Sequence, residues 1–345
     1  MCNGVCGRKA IHNEYFIRCG LSYSGIYKYW DSRIVILIFI FLSEGNVKMA
    51  RAKKLSYGAI NITIHPHSPQ KYVELFRDAR RLFLNVNVYG DQFAVLQHFN
   101  PMHREQLITE PYEGEVVKYT DINKNGEWYS ISRKELATDE EKEQIVIPDD
   151  MKPNVSRFSF IFLPNVHLMV YENQHEQKSI TPRQMEKFLK TLFSNEKIKE
   201  KYGVVNVTSL TEPDAVERML SLKGITLLSM VTRRPNPDDL VSAEHEVQER
   251  FKAIGVIEED KTYKAERGEQ IKPDKKLKRD ALIAARNGQV EIKRKNESGH
   301  VERLSTTDKP LQRSASYDPV VTLPIALLLQ EAYALTKEFI NKLRE

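Results

Sequence analysis

Hydrophobic positions along the chain fall into short, separated runs whose period switches between two and about 3.6, as expected of a protein that mixes strands with helices. Residues 57–66, "YGAINITIHP", alternate β-branched with smaller residues and stop at His65-Pro66, which predicts a strand. The following "SPQKYVELFRDARRLFL" offers Ser68 as an N-cap and Pro69 at the first helical position. It sets Tyr72, Leu75, Phe76, Ala79, Leu82 and Phe83 on one face, and so predicts an amphipathic helix. Strands are expected at 92–99 and 114–122, with Asn125-Gly126 turning the second of these into "WYSISR". The charged run 134–144 has no apolar period and reads as a surface helix or a linker.

In the middle of the chain, "RFSFIFLPNVHLMVYEN" (157–173) alternates through two strands with Pro164-Asn165 between them. Residues 179–203 form the clearest helix: Thr181 caps it, Pro182 opens it, Met185, Phe188, Leu189 and Leu192 make its buried stripe, and Gly203 follows its end. A strand at 204–210, a helix at 212–224, a strand at 225–234, a polar helix at 242–255 and a long amphipathic helix at 324–343 complete the pattern. The expected class is α+β, two small mixed modules with antiparallel strands and a long C-terminal helix. The modules are expected at 49–150 and 151–240, with 241–345 holding a basic hairpin region and the final helix.

The first 48 residues look foreign to this pattern. Their apolar run 34–42, "IVILIFIFL", is shorter than the roughly 20 residues that span a bilayer as a helix, and no small-x-small cleavage site follows it directly. Ser43-Glu44-Gly45 can be encoded by a purine-rich ribosome-binding site, and Met49 follows at a suitable distance, opening a basic start that runs into a strand. Residues 1–48 are therefore expected to be an extension from an upstream start codon, outside the fold.

Of 345 residues, 41% are hydrophobic and 29% charged, and the mean hydropathy is -0.48, values expected of a soluble globular protein without a membrane span. The formal charge is +5; without residues 1–48 it is +2, from 46 basic and 44 acidic side chains, so basic character must be local if it matters. Cys2, Cys6 and Cys19 are the only cysteines. They exclude a disulfide framework, fit a reducing cytoplasm, and lack the second cysteine or histidine pair that a structural zinc site needs. No cofactor is expected on the preferred reading.

Candidate chemistry concentrates in "NGQVEIKRKNESGHVERLST", residues 287–306. On one reading Asp274 and Glu291 hold a magnesium ion and Lys293 positions or activates a water, the arrangement of a PD-(D/E)xK nuclease. On the other, the stretch is an ordinary hairpin, with Val290, Ile292 and Arg294 on one face, Glu291, Lys293 and Lys295 on the other, and a turn at Gly299. The hairpin accounts for more of the letters. Between Ile271 and Arg303 ten basic residues face five acids, a local excess of five. Lys275, Lys276, Lys278, Arg279, Lys293, Arg294 and Lys295 are the expected phosphate contacts. With no aromatic residue among them, the expected partner is a duplex backbone and not a stacked single strand. His65 and His67 lack a third ligand at metal spacing, and His167 reads as a core histidine. A third reading is a protein-interaction module in which Leu327, Leu328, Ala332 and Leu335 of the last helix form a homodimer contact.

From about Tyr57 onward the layout resembles a little-characterised bacterial family and, more distantly, the phage lambda exclusion protein RexA. The likeness rests on the "RFSFIFLPNVHLMVYEN" strands and the helix after them, on "ITLLSMVTRRPNPDD", on the lysine-rich stretch before the hairpin, and on the final "IALLLQEAYALTKEFINKL". It implies an intracellular, non-enzymatic protein that binds DNA with little sequence preference, forms dimers and acts in exclusion of infecting phage.

Overall fold

Strand β1 (Lys53–Thr63) leads through a short loop to α1 (Pro69–Leu82), and β2 (Val86–Tyr89), β3 (Gln92–Pro101) and β4 (Tyr112–Thr120) follow as a meander. An excursion carries β5 (Tyr129–Ser130), β6 (Glu135–Leu136) and α2 (Asp139–Glu143); then come β7 (Ser156–Leu163), β8 (Leu168–His175) and β9 (Lys178–Ser179). Helices α3 (Pro182–Phe193) and α4 (Glu196–Tyr202), strand β10 (Asn206–Ser209) and helix α5 (Pro213–Leu220) precede β11 (Ile225–Arg233). The remainder comprises α6 (Ser242–Ile254), β12 (Glu258–Lys264), α7 (Lys275–Asn287), β13 (Gly288–Lys295), β14 (Val301–Ser305), β15 (Arg313–Tyr317) and α8 (Pro324–Arg344). This computed structural model describes residues 51–236 and 242–344, so the extension expected over 1–48 lies outside the described residues.

The class is α+β, as the periodicity predicts, and every strand pairing among the described residues is antiparallel. The larger sheet runs β10-β1-β8-β7-β4-β3-β2, with β15 pairing the other half of β1 and β9 pairing β8. Its strands β1, β7 and β8 are covered on both faces. Phe76, Phe99, Phe160 and Phe162 pack with Met185, Phe188 and Leu192 under α1, α3 and α4 on one side. On the other side, Leu327, Leu328, Ala332 and Leu335 of α8 pack against Tyr57, Ile161 and Val170. That stripe, a candidate dimer contact in the sequence, is consumed by its own chain.

Strand β4 pairs β7 along Tyr112↔Phe162 to Lys118↔Ser156, so the module boundary expected at 150 falls inside one sheet. The described residues form one compact unit. Other expectations change locally. The long helix expected over 179–203 is two helices, because Asn195 accepts from the Lys197 N–H and caps a new one. Phe83 is not on the buried face of α1; it ends the helix at φ 47° and is exposed. Asn125-Gly126 does not join two paired strands, since among the described residues β4 pairs β3 and β7.

Candidate functional site

The second sheet runs β12-β11-β13-β14. Strict alternation sends Leu228, Met230, Val290 and Ile292 inward, where they meet Ala281, Ala284 and Ala285 of α7 and Val216, Met219 and Leu220 of α5. The other face is open, and Lys264, Lys293, Lys295, Val301 and Arg303 are all exposed on it. Register builds a row across the four strands: Lys264 lies opposite Leu227, Leu227 opposite Lys293, and Lys293 opposite Arg303. At the usual strand spacing that row is about 14 Å wide. Lys295, two residues beyond Lys293, extends it toward the hairpin tip, opposite Val301. The neighbouring row, Thr262, Ser229, Glu291 and Ser305, holds one acid, and the Glu291 carboxylate accepts from Arg303 at 2.5 Å.

The seven expected phosphate contacts do not share this face. Lys293 and Lys295 do. Lys275, Lys276, Lys278 and Arg279 are exposed on α7, which covers the opposite side of the sheet, and Arg279 lies 3.8 Å from Glu246. Arg294 turns to the inner side, where it donates to Glu302 at 2.8 Å and to the Lys223 carbonyl at 3.3 Å. Two cations of the open face lie outside the expected set. Arg303 belongs to the basic excess but carries an exposed side chain only because β14 pairs β13. Lys264 sits in "EEDKTYK", where both faces of the strand are polar and no hydrophobic period marks β12.

The stretch at 287–306 does form a hairpin, β13 to β14. Asp274 caps α7, its Oδ1 accepting from the Leu277 N–H at 2.7 Å, on the inner layer, whereas Glu291 projects from the outer face. The sheet lies between them, so Asp274, Glu291 and Lys293 are not assembled as a magnesium site. Among the described residues no group of three or more His, Cys, Asp or Glu could hold a metal ion.

The histidines serve the junction between the two sheets. His167 is 1% exposed, its Nδ1 2.8 Å from Asn61 Oδ1 and its Nε2 2.7 Å from the Asn236 carbonyl oxygen, a buried core histidine with a hydrogen-bond partner at each ring nitrogen. Asn61 in turn donates to the Arg286 carbonyl and to Asn287 Oδ1, and Asn287 donates to Glu244 at 2.8 Å. Arg286 completes the joint with a 3.0 Å bond to the same carboxylate. His65 donates from Nε2 to the Arg234 carbonyl at 3.0 Å, and burial pushes its pKa down to about 4.

No helix among the described residues is long and apolar enough to cross a membrane. Residues 53–332 match a family model described as Domain of unknown function (DUF4747). Comparison with curated proteins gives no match.

Proposed function

We propose, for a chain that belongs to the DUF4747 family, that the open face of the second sheet binds the phosphate backbone of duplex DNA with little sequence preference. The observation that carries this reading is the registered row Lys264, Lys293 and Arg303, with Lys295 beside it, exposed on the outer sheet face that also carries Leu227 and Val301. Cations on a rigid sheet are held at fixed spacing, which lowers the ordering cost of meeting a regular array of phosphates. The row offers no aromatic side chain, so base stacking adds nothing and affinity is electrostatic. The layout resemblance to the exclusion protein supports a cytoplasmic role in defence against phage.

The test is fluorescence anisotropy of the full chain with a labelled duplex over a salt series. Wild type should bind with a steep salt dependence, and the double variant Lys293→Glu with Lys295→Glu should lose about two units of the log–log slope, roughly 0.9 per phosphate contact. A slope unchanged by the double variant would place binding elsewhere, and cleaved duplex would replace this reading with an enzymatic one.

A further inference from the structure

β14 is the outer strand of the second sheet, and its free edge borders a groove. The direction of its backbone groups follows from its neighbours. Lys295 N–H donates to the Gly224 carbonyl and the Lys293 carbonyl accepts from Thr226, both on the β11 side. Val290 N–H donates to Thr306, on the β14 side. Even-numbered residues of β13 therefore face β14, and their partners Glu302 and Leu304 face β13 in return. Val301, Arg303 and Ser305 are left with N–H and C=O groups directed away from the sheet, and β14 pairs with no other strand among the described residues.

Below this edge lies a cleft of about 240 Å³ between β14 and one face of α5. Met219, Leu222 and Leu304 line its apolar floor, Arg218 and Lys309 stand exposed at its rim, and the turn at Thr306 closes one end. Its size suits one or two side chains and falls below the roughly 300–1,000 Å³ of pockets that enclose a small molecule.

We infer that this edge and groove form a docking site for an extended peptide segment of another protein, one in which apolar and acidic residues alternate. A strand added to β14 would satisfy its free backbone groups, and its side chains would then point alternately to the two faces. Those pointing down enter the groove against Met219, Leu222 and Leu304, which selects apolar residues. Those pointing up lie beside Arg303 and Lys293, and the rim adds Arg218 and Lys309, which selects acids. The acids of this region are Glu291, paired with Arg303; Glu302, paired with Arg294; and Asp308 in the turn. The four cations outnumber them, and Glu302 lies toward the hairpin tip with its charge already met. An exposed edge strand is also an aggregation liability unless something occupies it.

The site shares Arg303 and Lys293 with the proposed nucleic-acid surface, but its edge backbone and groove floor lie outside that surface, so peptide docking and duplex binding are tested separately. The experiment uses the full chain and a fluorescein-labelled nine-residue peptide alternating Glu with Val or Leu, against a peptide of the same composition with its apolar residues grouped. The alternating peptide should bind at least about tenfold more tightly than the grouped one, and should slow amide exchange at Val301 and Arg303. Arg303→Pro removes an outward N–H without removing a ladder bond, so it should abolish binding, while Arg303→Ala should reduce it only a few-fold. Equal binding of the two peptides, or full binding to Arg303→Pro, would overturn the proposal. So would absence of binding, or a dimer of the free protein that Arg303→Pro dissociates, which would seat a second copy on this edge.

Discussion

Lys293 and Arg303 stand directly opposite each other on β13 and β14, two cations at a cross-strand pair. Like charges in that arrangement destabilise a sheet, and only Arg303 has an acid at hand, Glu291 at 2.5 Å. A fold selected for stability alone would place a carboxylate at 293. The expectation is a trade-off: Lys293→Glu should raise the urea midpoint by the equivalent of about 0.2–1 kcal/mol while weakening duplex binding. Chemical denaturation and anisotropy on the same preparation check both signs, and a variant that loses stability and keeps affinity would assign Lys293 a structural role.

Glu244 and Arg286 are 1% and 7% exposed and 3.0 Å apart, with Glu244 also accepting from Asn287. Removing one partner leaves a buried charge unpaired, so Glu244→Ala should cost about 3–5 kcal/mol. Replacing both, as in Glu244→Leu with Arg286→Met, should cost much less. Urea unfolding of the two proteins gives the comparison; equal losses would mean that the hydrogen bonds to the main chain, and not the charges, hold this joint.

His65 bears on pH dependence. Its folded pKa of about 4 lies below the ordinary 6.5 because burial disfavours the charged ring. The unfolded chain therefore binds the proton more readily, so this contribution to stability is complete above pH 6.5 and is lost as pH falls toward 4. Allowing for solvent screening at a half-buried ring, the loss should be about 1–2 kcal/mol. His65→Gln should flatten the stability profile between pH 6.5 and 4; an unaltered profile would assign the acid sensitivity to another group.

Gly288 starts β13 where a Cβ would lie 2.1 Å from the Val231 carbonyl oxygen, a main-chain atom that cannot swing aside. Gly288→Ala should force β13 away from β11 and cost several kcal/mol, on the order of 2–4. Loss of amide-exchange protection along β11 and β13 would accompany it, and a neutral effect in denaturant would show that the two strands separate freely at this end.

Much of the fold is legible in the letters. Thr181 with Pro182 marks a helix start, the 157–173 alternation marks two core strands, and the apolar stripe of the last helix marks a buried face. These signals are local, because capping and periodicity depend on residues within a few positions of one another. Helix α7 hides its start in a lysine-rich stretch, although Asp274 is an N-cap of the ordinary kind and Ala281, Ala284 and Ala285 carry its buried face. Small alanines give a weak hydrophobic signal, and the surrounding lysines draw attention to charge instead.

By itself, the sequence determined the α+β class, the hairpin at 287–306 and the local excess of cations, since composition and short-range period suffice for each. Tertiary structure decided which cations share a surface. Lys264 and Arg303 join Lys293 through strand register, 29 and 10 residues away along the chain, while Lys275 and Lys278, nearer than Lys264, fall behind the sheet. Asp274 and Glu291 are separated for the same reason. Pairing between strands is set by the whole buried face that must meet its partner, and no single stretch of the chain carries that information.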